Sequence, residues 1–287
     1  MDRFLFVPPA LQVSRRRAEF NREFGGPVRD ARLPLNHTQR PAKLTPLKIS
    51  IIIPAFNEER LLGGTLGHLN STRPALEQMG YATELIVCDN NSTDRTAEIA
   101  RSAGATVVFE PVNQIARARN AGAAAASGDW LLFIDADSQP SAGLLTEVGE
   151  RIRTGRCLAG GSTIRLEAGY PVAAAVTRLW NGLSRWQRLL AGSFIFCEAA
   201  AFRKVNGFSA ELFAGEELDL SKRLQTLARE TGHEIVILHR HPLLTSARKV
   251  HLYSTWEHLR FLLRAALRPN RVLRDPKACH SWYDGRR

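Results

Sequence analysis

The sequence lacks any apolar run of about 18 residues, the length that a transmembrane helix needs, so no membrane-spanning segment is expected. Its first residues, MDRFLFVPPALQVSRRR, are not typical of a signal peptide, because the charges follow the apolar patch and two prolines interrupt that patch. Cysteine is scarce, and none of the four cysteines forms a C-x-x-C pair. This pattern indicates neither a disulfide framework nor a zinc site, and it predicts a cytoplasmic protein.

Acidic residues are scarce at both ends of the chain, whose 287 residues carry a net charge of +11. Residues 1–46 contain nine Lys or Arg against four Asp or Glu, and residues 248–287 contain ten against three. The stretch between them is nearly neutral. Basic ends favour an anionic partner such as a membrane surface, nucleic acid or an acidic protein, and they are equally compatible with solvated tails.

The sequence pattern divides the chain into three parts. Residues 1–46 mix arginine, proline and polar residues without a sustained period, which predicts a basic N-terminal extension. From 47 to 250, short β-branched runs alternate with helical segments at the spacing of βαβ units. This alternation predicts an α/β fold with a Rossmann-like, mostly parallel sheet flanked by helices, in a single main domain. Residues 251–287 are predicted to form a basic amphipathic C-terminal helix and tail.

The C-terminal segment TWEHLRFLLRAALR, residues 255–268, places tryptophan and leucine on one side and arginines on another. Two interpretations of the apolar side stay open. The segment docks on the body of the protein, or it lies on an anionic membrane and makes the chain a peripheral protein at the inner face of the membrane.

Polar side chains follow three of the predicted strands. KISIIIPAF is followed by Asn57, which we expect to cap the next helix, TELIVCD ends in Asp89, and the predicted strand DWLLFIDADS carries Asp135 and Asp137 near its end. The carboxyl ends of parallel strands lie along one edge of a sheet, where open α/β sheets bind their ligands. We therefore expect these polar clusters to meet at that edge.

The two aspartates suggest a cation site. Asp135 and Asp137 share a face if the strand continues through them. Two neighbouring carboxylates repel each other, and oxygen-only ligands select Mg²⁺ or Mn²⁺, which often bridge protein carboxylates to substrate phosphates. The residues alone leave an alternative open, in which Asp137 only caps the helix that follows.

Two further groups have a structural and a functional interpretation. Glu216, Glu217 and Asp219 precede or begin a predicted helix, where acids stabilise the N-terminus and where one of them could also act as a general base. His239 and His241 follow the predicted strand EIVIL. They are interpreted as surface or core histidines, with metal binding as the alternative.

Four stretches occur together in one order: SIIIPAFNEE, ELIVCDNNSTDRT, ARNAGAAAASGDWLLFIDADS and VNGFSAELFAGEELDLSKRL. In this combination the chain resembles family 2 glycosyltransferases of the GT-A fold over residues 48–245. The resemblance implies an inverting enzyme that moves a sugar from a nucleotide-diphospho-sugar, expected to be a UDP-sugar, to a hydroxyl acceptor with the help of Mg²⁺ or Mn²⁺. The expected acceptor is a lipid-linked or cell-envelope saccharide, and nucleic acid is not an expected partner.

The resemblance also implies roles for particular residues. Asp137 would hold the metal as well as the donor, and Glu217 would be the catalytic base, at a position where the family usually has aspartate. Because of that departure, Glu216 and Asp219 stay open as alternative bases. The residues implied in donor binding are Pro54, Ala55, Glu58, Asp89, Arg119, Asp135 and Asp137.

The sequence also bears on several other functions. The glycines of LLGGTLGHL lie inside a predicted helix and do not form G-x-G-x-x-G, which argues against a dinucleotide-dependent oxidoreductase. A nucleotidyltransferase and a non-catalytic nucleotide-sugar-binding relative remain the alternatives. The Gln-x-x-Arg-Trp motif of processive family members is absent, so transfer of a single sugar is expected.

Overall fold

The computed structural model describes residues 46–166, 171–190, 192–246 and 272–279, all of which belong to one compact unit. The predicted N-terminal extension up to residue 45 and the amphipathic segment 255–268 lie outside the described residues. Within the described ranges, no helix combines the length and the apolar character needed to cross a membrane.

The described residues contain alternating strands and helices, as the sequence pattern predicts. They are, in chain order, β1 (Lys48–Ala55), α1 (Leu62–Thr72), α2 (Pro74–Gln78), β2 (Ala82–Asp89), α3 (Thr96–Ser102), β3 (Thr106–Phe109), α4 (Ile115–Ala125), β4 (Trp130–Ile134), β5 (Ser138–Gln139), α5 (Ala142–Arg153), β6 (Cys157–Leu166), α6 (Pro171–Gln187), β7 (Phe194–Glu198), α7 (Ala199–Lys204), α8 (Glu216–Thr231) and β8 (Glu234–Thr245).

The strands form one sheet in the order β3-β2-β1-β4-β7-β6-β8-β5. The pairings of β2 with β3, β1 with β2, β1 with β4 and β6 with β8 are parallel, and those of β7 with β4 and β6 and of β5 with β8 are antiparallel. The prediction of an α/β fold with a mostly parallel sheet is thus confirmed. Because β1, β2 and β4 run in parallel next to one another, their carboxyl ends share one edge of the sheet.

Helices cover both faces of the sheet, which explains the unbroken apolar runs of the central strands. Along β1, Ile51 and Ile53 pack into a cluster with residues of α1, α2 and α5, whereas Ile52 packs on the opposite face with residues of α4, α7 and α8. On that second face Gly122 of α4 is in close contact with β1, since an added Cβ would lie 2.5 Å from Ile52 Cγ2. The strands that end at this edge of the sheet are thereby packed between two layers of helices.

The structure corrects the expected start of the first helix. Asn57 does not cap it, because α1 begins at Leu62 and Asn57 has a left-handed backbone with φ of 52°. Asparagine tolerates this conformation better than most residues. Its Oδ1 instead accepts a hydrogen bond of 2.8 Å from the Thr93 backbone N–H and so joins the loops that follow β1 and β2.

The aspartate pair also lies differently from the prediction, since β4 ends at Ile134 before either residue. The Asp135 backbone carbonyl accepts a 3.1 Å hydrogen bond from the Ser138 N–H, so the chain turns here, and strand alternation does not determine where the two side chains point. The turn is anchored to α1 by Thr65, whose hydroxyl donates to the Ala136 carbonyl at 2.7 Å. The helix that follows is capped by Ser141, which excludes Asp137 as its cap.

Candidate active site

A cavity of about 340 Å³ lies where the turn after β4, the N-terminus of α8 and helix α6 come together. Five of the charged residues that the sequence singles out line it. They are Arg119, Asp135, Asp137, Glu216 and Glu217. Its remaining walls include apolar side chains of β6 and α6, among them Ile164, Leu166 and Trp180.

Arg119 is the centre of a buried charge network. It projects from α4, and its side chain is only 2% exposed. Its guanidinium donates to Asp135 Oδ1 at 3.0 Å, to Glu216 Oε1 at 2.8 Å and to the Gly192 carbonyl at 2.9 Å. The network therefore ties together three segments that are distant in sequence. The Arg119 Nε is buried without a hydrogen-bond partner in the structure.

The charges in this network are not balanced, since one guanidinium faces three carboxylates. Burial alone would lower the pKa of Arg119, but Asp135, Glu216 and Glu217 outweigh it and raise that pKa. Burial, followed by the neighbouring Glu217 carboxylate, raises the pKa of Glu216 to about 8, although Arg119 acts in the opposite direction. Glu216 therefore holds a proton at neutral pH, which relieves the repulsion between the carboxylates.

The three candidate bases have different surroundings. Glu216 is buried in its contact with Arg119. Asp219 forms an ion pair with Arg223 one helical turn later, at 2.6 Å, and does not line the cavity. Glu217 lines the cavity and forms no ion pair with a lysine or arginine among the described residues. The backbone turn that directs these acids depends on Gly215, whose φ of 74° is costly for residues with a Cβ.

The residues implied at the ends of β1 and β2 form a second group. Ala55 is paired with Asp89 in register, and both are buried, as are Pro54 and Glu58. Asp89 Oδ1 accepts a 3.0 Å hydrogen bond from the Ser92 N–H. None of these four residues lines the 340 Å³ cavity. They lie on the same edge of the sheet as the turn after β4. Because β1 lies between β2 and β4, the ends of β2 and β4 are about 10 Å apart.

The two histidines lie on β8, before this strand reaches the cavity at Thr245. His239 and His241 are exposed in the irregular stretch of β8, where the register with β6 shifts, and His241 Nδ1 lies 2.9 Å from Glu147 Oε1. Neither of them lines the acidic cavity.

The side chains of the cavity offer few ligands for a divalent ion. No group of three or more His, Cys, Asp or Glu side chains suited to a metal occurs in the described residues. Asp135 and Asp137 both line the cavity, and Asp135 is bound by Arg119. Mg²⁺ in proteins is often held by one or two carboxylates together with substrate phosphates. The residues present therefore fit an ion that is shared with a bound diphosphate, and do not form a complete protein cage.

Sequence reasoning missed the residues that position the acids. Gln114 donates to the Ala210 and Leu212 carbonyls at 2.8 and 2.9 Å. Asn120 exchanges two hydrogen bonds with the backbone of Phe208, at 2.8 and 2.9 Å. Together with Arg119, these side chains hold the loop before α8 against α4. Polar residues spaced along an alanine-rich helix were the only available signal, and that signal does not identify their partners.

The family model for Glycosyl transferase family 2 matches residues 50–204. Among curated proteins, the chain is similar to an uncharacterised glycosyltransferase of Mycobacterium tuberculosis, with 36% identity over 113 residues. That match covers 39% of this chain and 47% of the relative, so the chain spans about half the length of this curated relative.

Two solved structures show the same fold. The mannosyltransferase PcManGT from Pyrobaculum calidifontis, in complex with GDP-Man and Mn²⁺, has a TM-score of 0.60 and 17% identity, and the match covers 85% of this chain and 72% of that one. TarS from S. aureus, in complex with UDP-GlcNAc, has a TM-score of 0.58 and 20% identity, with 82% and 69% covered. The fold is GT-A, and because the family model matches more than half of its residues, the chain belongs to glycosyl transferase family 2.

Proposed function

We propose that this protein is an inverting glycosyltransferase that moves a sugar from a nucleotide-diphospho-sugar, with UDP as the favoured nucleotide, to a hydroxyl of a lipid-linked or cell-envelope saccharide. The observation that carries the proposal is that Asp137 and Glu217 line one cavity. This cavity would place a group suited to the diphosphate and a group suited to the acceptor within reach of one sugar. The UDP-GlcNAc bound to TarS and the GDP-Man bound to PcManGT support a donor of this class.

Glu217 is assigned as the general base. It takes the proton of the acceptor hydroxyl while that oxygen forms a bond to the sugar C1, and the bond from C1 to the diphosphate oxygen breaks as the nucleoside diphosphate leaves. Attack from the face opposite the leaving group inverts the configuration at C1. Glu216 is less suited to this role, because it is held by Arg119 and its raised pKa keeps it protonated at neutral pH.

Asp137 is assigned as the protein ligand of Mg²⁺ or Mn²⁺, which when bound supplies charge neutralisation for the leaving diphosphate. Asp135 and Arg119 are assigned to the sugar and phosphate side of the donor, where their mutual ion pair fixes both side chains. Pro54, Ala55, Glu58 and Asp89 are assigned to the nucleoside, at the neighbouring strand ends. The donor would thus extend along the sheet edge from β2 to the cavity.

The donor is tested by a thermal-shift screen of UDP-, GDP-, CMP- and dTDP-sugars with and without Mn²⁺. We expect the largest rise in Tm for a UDP-sugar with Mn²⁺, and release of UDP when an acceptor is present. Asp137→Ala should abolish the Mn²⁺-dependent part of both signals. Glu230→Ala, which removes an exposed acid near the far end of α8, is the matched control. Full turnover by Asp137→Ala would rule out the assigned role.

UDP release and a separate pyrophosphate assay distinguish the two alternatives. A non-catalytic relative would show the rise in Tm and no release of UDP with any acceptor. A nucleotidyltransferase would instead release pyrophosphate from a nucleoside triphosphate and a sugar 1-phosphate. The loop PAFNEE after β1 offers no glycine-rich phosphate cradle, so we expect no pyrophosphate.

A further inference from the structure

Helix α6 carries an exposed apolar stripe on its outer surface. Val176, Leu179, Leu183 and Trp186 are 63%, 77%, 38% and 78% exposed. Their spacing of three and four residues places them on one face of the helix. Four of the seven exposed large hydrophobic side chains in the described residues thus lie on this one helix. An apolar concentration of this kind marks a surface for interaction.

The opposite face of α6 is fixed to the body of the protein. Asn181 forms two hydrogen bonds with the backbone of Ile164 on β6, at 2.9 and 3.0 Å, and Ser184 is buried. Burying the apolar stripe against the same body would break both hydrogen bonds. The apolar stripe is therefore the outward face of a helix that is already packed.

The charged side chains on α6 and directly after it are all of one sign. Arg178, Arg185 and Arg188 are exposed, and none of them forms an ion pair with a described residue. Residues 168–197 contain no aspartate or glutamate. Apolar side chains flanked by unopposed arginines are the pattern of a helix that lies in the interface of an anionic membrane.

We propose that the apolar stripe of α6 docks on the surface of an anionic lipid bilayer. Val176, Leu179, Leu183 and Trp186 would enter the headgroup boundary while the arginines contact lipid phosphates. A second copy of the chain would bring the same arginines face to face. Residues 248–287 carry ten basic residues against three acidic ones, so they would also add like charge. Charge complementarity thus selects the bilayer over both of these occupants.

The position of α6 links this surface to the cavity. Trp180, the residue after Leu179, lines the cavity, so one helix contributes to both the outward stripe and the site. A bilayer against the apolar stripe would therefore lie beside the cavity. This last step rests on the proposed function, because it places a lipid-linked acceptor near Glu217, whereas docking itself does not depend on the transfer reaction.

The proposal is tested by co-sedimentation of the full chain with vesicles of phosphatidylcholine alone or with phosphatidylglycerol. We expect binding to the anionic vesicles only, and its loss at about 0.5 M NaCl. The double variants L179S/W186S and R178E/R185E should each raise the lipid concentration for half-binding about tenfold or more. Circular dichroism melts would verify that both variants fold.

The matched controls carry the same substitutions elsewhere. R101E/R229E changes the net charge equally, at exposed arginines of α3 and α8, and F109S/V112S removes two exposed apolar residues remote from α6. Both should bind as the wild type does.

The proposal would be overturned if the two α6 variants bound the anionic vesicles as tightly as the wild type does. The membrane contact would then be assigned to the basic ends. Wild-type dimers that L179S/W186S converts to monomers would also overturn the proposal, since the apolar stripe would then be an interface between copies. Sugar-nucleotide binding by all four variants tests the proposed function separately.

Discussion

At the scale of single residues, Glu216 has an unusual environment, because it is buried beside a second carboxylate and held by one guanidinium. Its pKa of about 8 lies above the ordinary value of 4.5. The folded state therefore binds this proton more tightly than the unfolded state does. The contribution of Glu216 to stability is complete below pH 4.5 and is lost as the pH rises towards 8.

We predict that Glu216→Gln removes this pH dependence. Glutamine keeps the oxygen that accepts from Arg119 and cannot ionise, so the variant should gain stability relative to the wild type by about 1 kcal/mol per pH unit between pH 5 and 8. Urea unfolding at a series of pH values measures the difference. For Glu230→Gln, at an exposed acid of the same helix, the free energy of unfolding should vary with pH as it does in the wild type. The same pH dependence in Glu216→Gln would contradict the assigned protonation.

A separate prediction concerns Glu217, the neighbouring carboxylate. Glu217→Gln should lower kcat by about 10²–10⁴-fold, the usual contribution of a general base, while the affinity for the donor stays the same. Asp219→Asn is the matched control, because Asp219 pairs with Arg223 outside the cavity. Steady-state kinetics with the identified donor measure both. A larger loss in Asp219→Asn than in Glu217→Gln would reverse the assignment of the base.

At the scale of elements, α4 is the part that organises the site. Side chains of α4 and of its N-cap form hydrogen bonds with the loop before α8 or with Glu216 at the start of α8. They belong to Gln114, Arg119 and Asn120. The loop itself is thereby determined by hydrogen bonds to a helix nearly 100 positions earlier in the chain. The start of α8, which carries Glu217, is thus held to α4 by these contacts.

Replacing Arg119 should therefore destabilise the whole fold. Arg119→Met removes the only cation shown to contact Asp135 and Glu216 among the described residues, and it leaves two carboxyl groups and the Gly192 carbonyl without that donor. We expect a loss of about 3 kcal/mol or more in the free energy of unfolding. Arg101→Ala, at an exposed position of α3, should change it by less than about 0.5 kcal/mol. Similar values for the two variants would contradict a central role for Arg119.

The sequence predicts the elements better than the turns between them. The strands β1, β2 and β4 could be recognised because they are continuous apolar runs that are buried on both faces. The start of α1 could not be predicted, because Asn57 suits a helix cap and a left-handed turn equally well. The contact of Asn57 with Thr93 forms only when the two loops are packed together. The sequence likewise predicts a strand face for Asp135, because its direction is determined only by the anchored turn after β4.

At the scale of the whole molecule, the proposed site is divided among distant segments. The end of β2 supplies Asp89, the turn after β4 supplies Asp137, and the start of α8 supplies Glu217, and the sheet order brings the first two to one edge. A donor that spans this edge would connect groups from three segments that are distant in sequence. Binding of donor and metal should therefore be coupled through the ligand.

This coupling can be measured directly. With Asp137 as the proposed protein ligand and no cluster of three metal-binding side chains in the described ranges, the chain alone should bind Mn²⁺ weakly. Addition of UDP supplies diphosphate oxygens and should raise the affinity for Mn²⁺ about tenfold or more, and Mn²⁺ should raise the affinity for UDP by the same factor. Electron paramagnetic resonance of free Mn²⁺ and a thermal shift with UDP measure the two sides of this linkage. Asp137→Ala should abolish both increases, whereas Glu230→Ala should keep them. Equal Mn²⁺ affinity with and without UDP would instead indicate a resident ion, held by the protein independently of the donor.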